Sequence, residues 1–162
     1  MNSITQLLGI AKNRINKKIE KITICSSLSF NQEIDNTKKQ LIDLGCKVYV
    51  PDIANEPFDN SSLDANYNLA YCLRNNVQMA HFKKIQDSDA ILVLNLDKNG
   101  IKNYIGGSVL MEMAIAKFLH KKIFLYNDLP DEKDLRIAFE AKLTEPVIIN
   151  RDLNKILCYS FI

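Results

Sequence analysis

The sequence predicts a single α/β domain, an open parallel sheet of five strands with helices on both faces. Three observations carry this. Short apolar runs rich in β-formers alternate five times with segments of helical spacing. Connections are short, and no linker, repeat or low-complexity tract divides the 162 residues, so 1–162 reads as one domain. Residues 88–127 (SDAILVLNLDKNGIKNYIGGSVLMEMAIAKFLHKKIFLYN) run as strand, loop, helix, strand. Such a βαβ unit makes its two strands parallel neighbours.

In order along the chain, apolar positions at Ile4, Leu7, Leu8, Ala11, Ile15 and Ile19 predict an amphipathic N-terminal helix over 1–19. KITIC at 21–25 is the first strand. A helix from Asn31 to Leu44 is closed by Gly45 in the left-handed stop position. KVYV at 47–50 is the second strand, and 52–62 is a polar loop suited to a flap. The pattern from Leu63 to Ile85 is helical with an interruption at 74–76. Strands follow at 90–94 and 123–126, a helix opens at Pro130-Asp131 and runs to Ala141, and a fifth strand occupies 147–149. Residues 152–157 form a last turn or helix. With right-handed crossovers the expected strand order is 2-1-3-4-5.

Composition narrows the function. A net charge of +2 on a chain that is 25% charged gives no basic footprint for a nucleic acid polymer or an anionic membrane. No apolar run approaches the roughly 18–20 residues that span a bilayer, and the N-terminal stretch lacks the pattern of a secretory signal. Four scattered cysteines without a CxxC pair and only two histidines predict reduced thiols, a cytoplasmic location and no metal site. No GxGxxG or GxxxxGK[ST] is present, so no cofactor is expected.

In open parallel sheets, ligands bind beyond the carboxyl ends of the strands where strand order reverses. That rule brings the turn at 26–30, the loop at 95–108 and the helix after it to one place. Glu112 is the acid in the otherwise apolar start of that helix, just after Gly106, Gly107 and Ser108. A helix start favours an ionised carboxylate, which serves as a nucleophile or a base, and the glycines allow close approach of a ligand. The hydroxyls of Ser26, Ser27 and Ser29 suit a phosphate or a sugar hydroxyl. Asn95 and Asp97 lie just past the third strand, although Asp97 equally suits a turn with Gly100. His81 titrates near neutral pH and is the candidate acid–base group, against the plainer reading of a histidine on a helix flank. His120 and Lys121-Lys122 are explained as cations at a helix C-terminus.

The combination of KITICSSLS, HFKKIQDSDAILVLN and GGSVLMEMAIAKFLHKKIFLY resembles the nucleoside 2-deoxyribosyltransferase-like superfamily over residues 21–150. The resemblance implies a flavodoxin-like sheet and N-glycosidase or N-deoxyribosyltransferase activity on a small nucleoside or nucleotide, and it points to a homo-oligomer. It assigns Glu112, in Glu112-Met113-Ala114-Ile115-Ala116, as the nucleophile at C1′ and the serine turn as the sugar or 5′-phosphate loop. Two positions that carry aspartate in the family are His81 and Gly106 here, and Leu28 and Ser29 stand where the phosphate loop carries arginine. A catalytically inactive nucleotide-binding or scaffolding module on the same fold is the competing expectation.

Overall fold

The computed structural model describes residues 18–52 and 65–159, with the backbone alone for 65–69. The expected N-terminal helix and nearly all of the expected flap at 52–62 lie outside the described residues.

Five strands form one sheet: β1 (Lys21–Cys25), β2 (Lys47–Tyr49), β3 (Ala90–Val93), β4 (Lys122–Leu125) and β5 (Val147–Ile148). Their order is β2-β1-β3-β4-β5 and every pairing is parallel. This is the flavodoxin-like arrangement expected from the alternating pattern. The chain moves outward from β1 to β2 and returns across β1 to β3, so the order reverses between β1 and β3. There Cys25 pairs with Val93 at the carboxyl ends.

Among the described residues five α-helices lie between strands, α1 (Asn31–Asp43), α2 (Ala65–Arg74), α3 (Val77–Gln86), α4 (Gly107–Phe118) and α5 (Ala138–Leu143), and α6 (Asn154–Leu157) follows β5. A single 3-10 turn, Leu28–Phe30, follows β1. Strand alternation assigns the two faces. Ile22 and Ile24 of β1 join Leu92, Phe124, Ile34 and Leu41 in a core beneath α1 and α6. Cys25 joins Ile91, Val93, Ile85, Val109 and Met113 in a second core beneath α3, α4 and α5.

Helix ends follow local chemistry. α1 stops with Gly45 at φ +88°, where Gly45 N–H donates to Ile42 O and Cys46 N–H to Leu41 O, the Schellman pattern. α4 stops the same way with His120 in the left-handed position at φ +54°, His120 N–H donating to Lys117 O and Lys121 N–H to Ala116 O. Lys121 Nζ then reaches across to Gln86 O and Ser88 O, closing the C-terminus of α3. The interruption expected at 74–76 is present: Asn76 at φ +48° separates α2 from α3. The helix expected from Pro130 is shorter. Residues 131–137 are turns and α5 begins at Ala138, because Asp131 accepts a hydrogen bond from Lys133 N–H, a local turn that competes with helix.

Candidate functional site

Three elements deliver one side chain each to the switch point. β1 ends in Cys25, which alternation turns toward the α3–α4 layer. On α3, His81 and Ile85 lie one turn apart on the sheet-facing stripe, and both are buried. On α4 the buried stripe is Val109, Met113 and Ala116, and Glu112 is on its margin. The α4 surface is less buried than its apolar composition suggests, since Met111 is 45% and Phe118 78% exposed.

The three side chains meet. His81 Nε2 is 3.5 Å from Glu112 Oε1, with side-chain exposures of 7% and 14%. Cys25 Sγ is 3.8 Å from His81 Nε2, and the donor atoms of Cys25, His81 and Glu112 all lie within 4.8 Å of one another. His81 Nδ1 and Glu112 Oε2 are buried and have no hydrogen-bond partner among the described residues.

Burial sets the charge state. Desolvation pushes the Glu112 carboxyl up to about 7, against a smaller lowering by the nearby Cys25 thiol. The helix dipole expected to keep Glu112 ionised is outweighed. Glu112 is the sixth residue of α4, beyond the first turn where the dipole contributes about 0.3–1 kcal/mol, whereas burial shifts a carboxyl by whole pKa units. His81 is lowered to about 4, first by desolvation and then by the Lys84 ammonium, with Asp52 opposing. Burial and the neighbouring Glu112 carboxylate raise the Cys25 thiol well above its usual range. At neutral pH the site therefore holds a neutral imidazole, a thiol and a carboxyl poised between its two forms.

A second cluster lies on the turn after β1. Ser27 caps the 3-10 turn, its Oγ accepting from Ser29 N–H and sharing a 2.8 Å hydrogen bond with Ser29 Oγ. Lys98 Nζ donates to Ser27 Oγ at 2.8 Å. Asn99 and Gly100, both with positive φ, form a tight turn in which Lys98 and Ile101 exchange backbone hydrogen bonds. Lys98 also lies over the Tyr104 ring. Ser26, by contrast, is buried and its Oγ donates to Leu94 O.

The remaining expected residues are placed as follows. Asn95 is fully buried: its Oδ1 accepts from Asn127 N–H at 2.9 Å and its Nδ2 donates to Asp128 O at 2.7 Å. Asn127 Nδ2 donates back to Asn95 O, and Arg151 Nε donates to Asn127 Oδ1. This clamp ties together the chain ends beyond β3, β4 and β5. Asp97 is exposed and accepts from Asn103 N–H within its own loop. Gly106 caps α4 beneath the Tyr104 ring, where a Cβ would sit 3.4 Å from a ring carbon. A Cβ on Gly107 would meet nothing within 4 Å, and Ser108 is exposed.

Cys25 and Lys98 are site residues that the sequence reading did not single out. The period-2 alternation in KITIC carried the signal for Cys25, and the Asn-Gly turn carried that for Lys98. Among the described residues, Cys25, His81 and Glu112 are the group able to hold a metal ion, their donor atoms all lying within 4.8 Å of one another. A surface groove lined by Leu129, Pro130, Asp131, Glu132 and Lys142 includes none of the three. No described helix is long and apolar enough to cross a membrane.

The sequence matches no protein-family profile and none of the curated proteins. Among solved structures, this chain is similar to the CMP N-glycosidase of Clostridium botulinum at 12% identity and a TM-score of 0.45, over 85% of this chain and 94% of that one.

Proposed function

We propose that the protein is an N-glycosidase or N-deoxyribosyltransferase acting on a small nucleoside or nucleotide. The observation that carries this reading is the buried Glu112–His81 pair at the point where strand order reverses. The sequence resemblance supports the same assignment.

The pair suits the chemistry because it shares one proton. In the resting site that proton resides on Glu112, whose pKa is about 7 against about 4 for His81. Its transfer from Glu112 to His81 Nε2 creates a carboxylate nucleophile and an imidazolium acid together. The carboxylate then bonds to C1′ of the sugar while the C1′–N bond breaks. The bond's electron pair leaves with the base, which takes the imidazolium proton. Water attacks C1′ of the glycosyl ester, its proton passes to His81, and the free sugar and the Glu112 carboxylate are restored. If a second base attacks instead of water, the outcome is transfer.

The Ser27, Ser29 and Lys98 cluster supplies hydroxyls and a cation for the sugar or a 5′-phosphate. A homo-oligomer belongs to the same reading. Leu73, Met79, Met111 and Phe118 expose apolar surface on the α2–α4 side of the molecule, and such patches mark association sites. Sedimentation of the wild type against Phe118→Glu tests that part.

The deciding experiment is to incubate the protein with nucleosides and nucleoside monophosphates and to measure released base by chromatography. Release that disappears in Glu112→Gln, with an adduct of one sugar mass trapped on the wild type, supports the enzyme. Absence of release from the full panel, with nucleotide binding retained, sinks it in favour of the non-catalytic module.

A further inference from the structure

We propose that Cys25, His81 and Glu112 also bind a borderline-soft divalent cation, for which Zn²⁺ is the best match. The argument is geometric. A tetrahedral zinc ion, with Zn–S near 2.3 Å and Zn–N or Zn–O near 2.0–2.1 Å, places its ligand atoms about 3.3–3.6 Å apart. The Sγ to Nε2 distance here is 3.8 Å, the Nε2 to Oε1 distance is 3.5 Å, and all three atoms lie within 4.8 Å. Two edges of the coordination triangle are thus within about 0.3 Å of their bound lengths.

The ligands come from a strand and two helices that pack on one core, so the triangle is held before an ion arrives. One thiol, one imidazole and one carboxylate select against the hard ions Mg²⁺ and Ca²⁺, which take oxygen ligands. Three protein ligands leave a fourth position for water, on the side where Glu112 retains its residual exposure. Binding releases to solvent both the Cys25 thiol proton and the proton held by Glu112. Among the described residues His81 Nδ1 has no hydrogen-bond partner of the kind that usually raises the basicity of a ligating histidine. That lack weakens affinity about 10–100-fold relative to a fully supported site.

The ion occupies the carboxylate oxygen that the proposed glycosidase uses as its nucleophile. Inhibition by zinc therefore rests on that function, whereas the binding itself does not. Full-length protein, freed of metal by a chelator, is titrated with Co²⁺ and then Zn²⁺. One equivalent of Co²⁺ should produce a thiolate-to-cobalt charge-transfer band that Zn²⁺ abolishes. Cys25→Ser should lose the band and bind Zn²⁺ at least about tenfold more weakly. His81→Gln gives a second, independent loss, and Cys46→Ser and Cys158→Ser should retain the band. Absence of a band in the wild type, or its persistence in Cys25→Ser, overturns the site. A Cys25-dependent band in a protein that releases no base leaves the site standing and removes the glycosidase reading. Base release that is equally fast with zinc bound overturns the inhibitory role.

Discussion

His81 Nε2 and Glu112 Oε1 stand 3.5 Å apart, although the two residues are 31 positions apart in sequence and sit on different helices. Burial raises the acid and lowers the base until their proton affinities are inverted. Pairs with pKa values displaced in this way concentrate at functional sites.

The inversion has a signature in stability. Glu112 binds its proton more tightly folded than unfolded, so its contribution is present below the ordinary carboxyl pKa and is lost as pH rises through about 7. His81 does the opposite: its contribution is present above the ordinary imidazole pKa and is lost as pH falls through about 4. Between roughly pH 4.5 and 6.5 the two slopes oppose each other at up to about 1.4 kcal/mol per pH unit each. Urea unfolding should therefore show little net pH dependence from this pair in the wild type. Stability that rises with pH should emerge in Glu112→Gln, and stability that falls with pH in His81→Gln. Parallel curves for all three proteins would contradict the inverted pair.

His81→Gln should lower kcat for base release by about 10²-fold or more, the range of a general acid. KM should change by less than about threefold, because the imidazole acts on the leaving base rather than on binding. A rise in KM with kcat preserved would assign His81 to binding instead.

The Lys98 ammonium beside Ser27 should matter only for a charged substrate. Lys98→Met is expected to raise KM for a nucleoside monophosphate about tenfold, the scale of one charge-assisted hydrogen bond, and to leave the parent nucleoside unaffected. Equal effects on the two substrates would remove the phosphate role.

Asn95→Ala should destabilise the fold by about 2–4 kcal/mol, since Asn127 N–H and Asp128 O lose their partners in a dry site. Chemical denaturation measures this directly, and a loss under about 0.5 kcal/mol would mean that water replaces the amide.

The fold was legible because each level of the sequence agreed. KITIC is a short run of β-formers buried on both faces, as a central parallel strand must be, Gly45 stops α1, and the paired asparagines at 75–76 break a helix that hydrophobic spacing alone would have continued. Glu112 was visible as the one acid in an apolar run, His81 as an imidazole suited to acid–base work, and the switch-point rule directed attention to the Glu112 helix and the turn after β1. Cys25 was hidden because a thiol at a strand end reads as one more small apolar residue, and only its partners from α3 and α4 give it another meaning. Asn95 shows the converse. A polar residue past a strand end looks like a ligand contact, but its amide is committed to backbone groups of the next connection.

The left-handed residue between α2 and α3 has a bearing on how this chain can vary. Because Asn76 resets the backbone before Val77, the rotational phase of α3 is set by its own packing through Ile85 and by the Lys121 contacts at its end. The turn at Asn76 interrupts the helical register between α2 and α3, so the direction of the imidazole toward Glu112 is not inherited from the phase of α2. The His81–Glu112 alignment is thus decoupled from the helical register of α2, the element that precedes α3 in sequence.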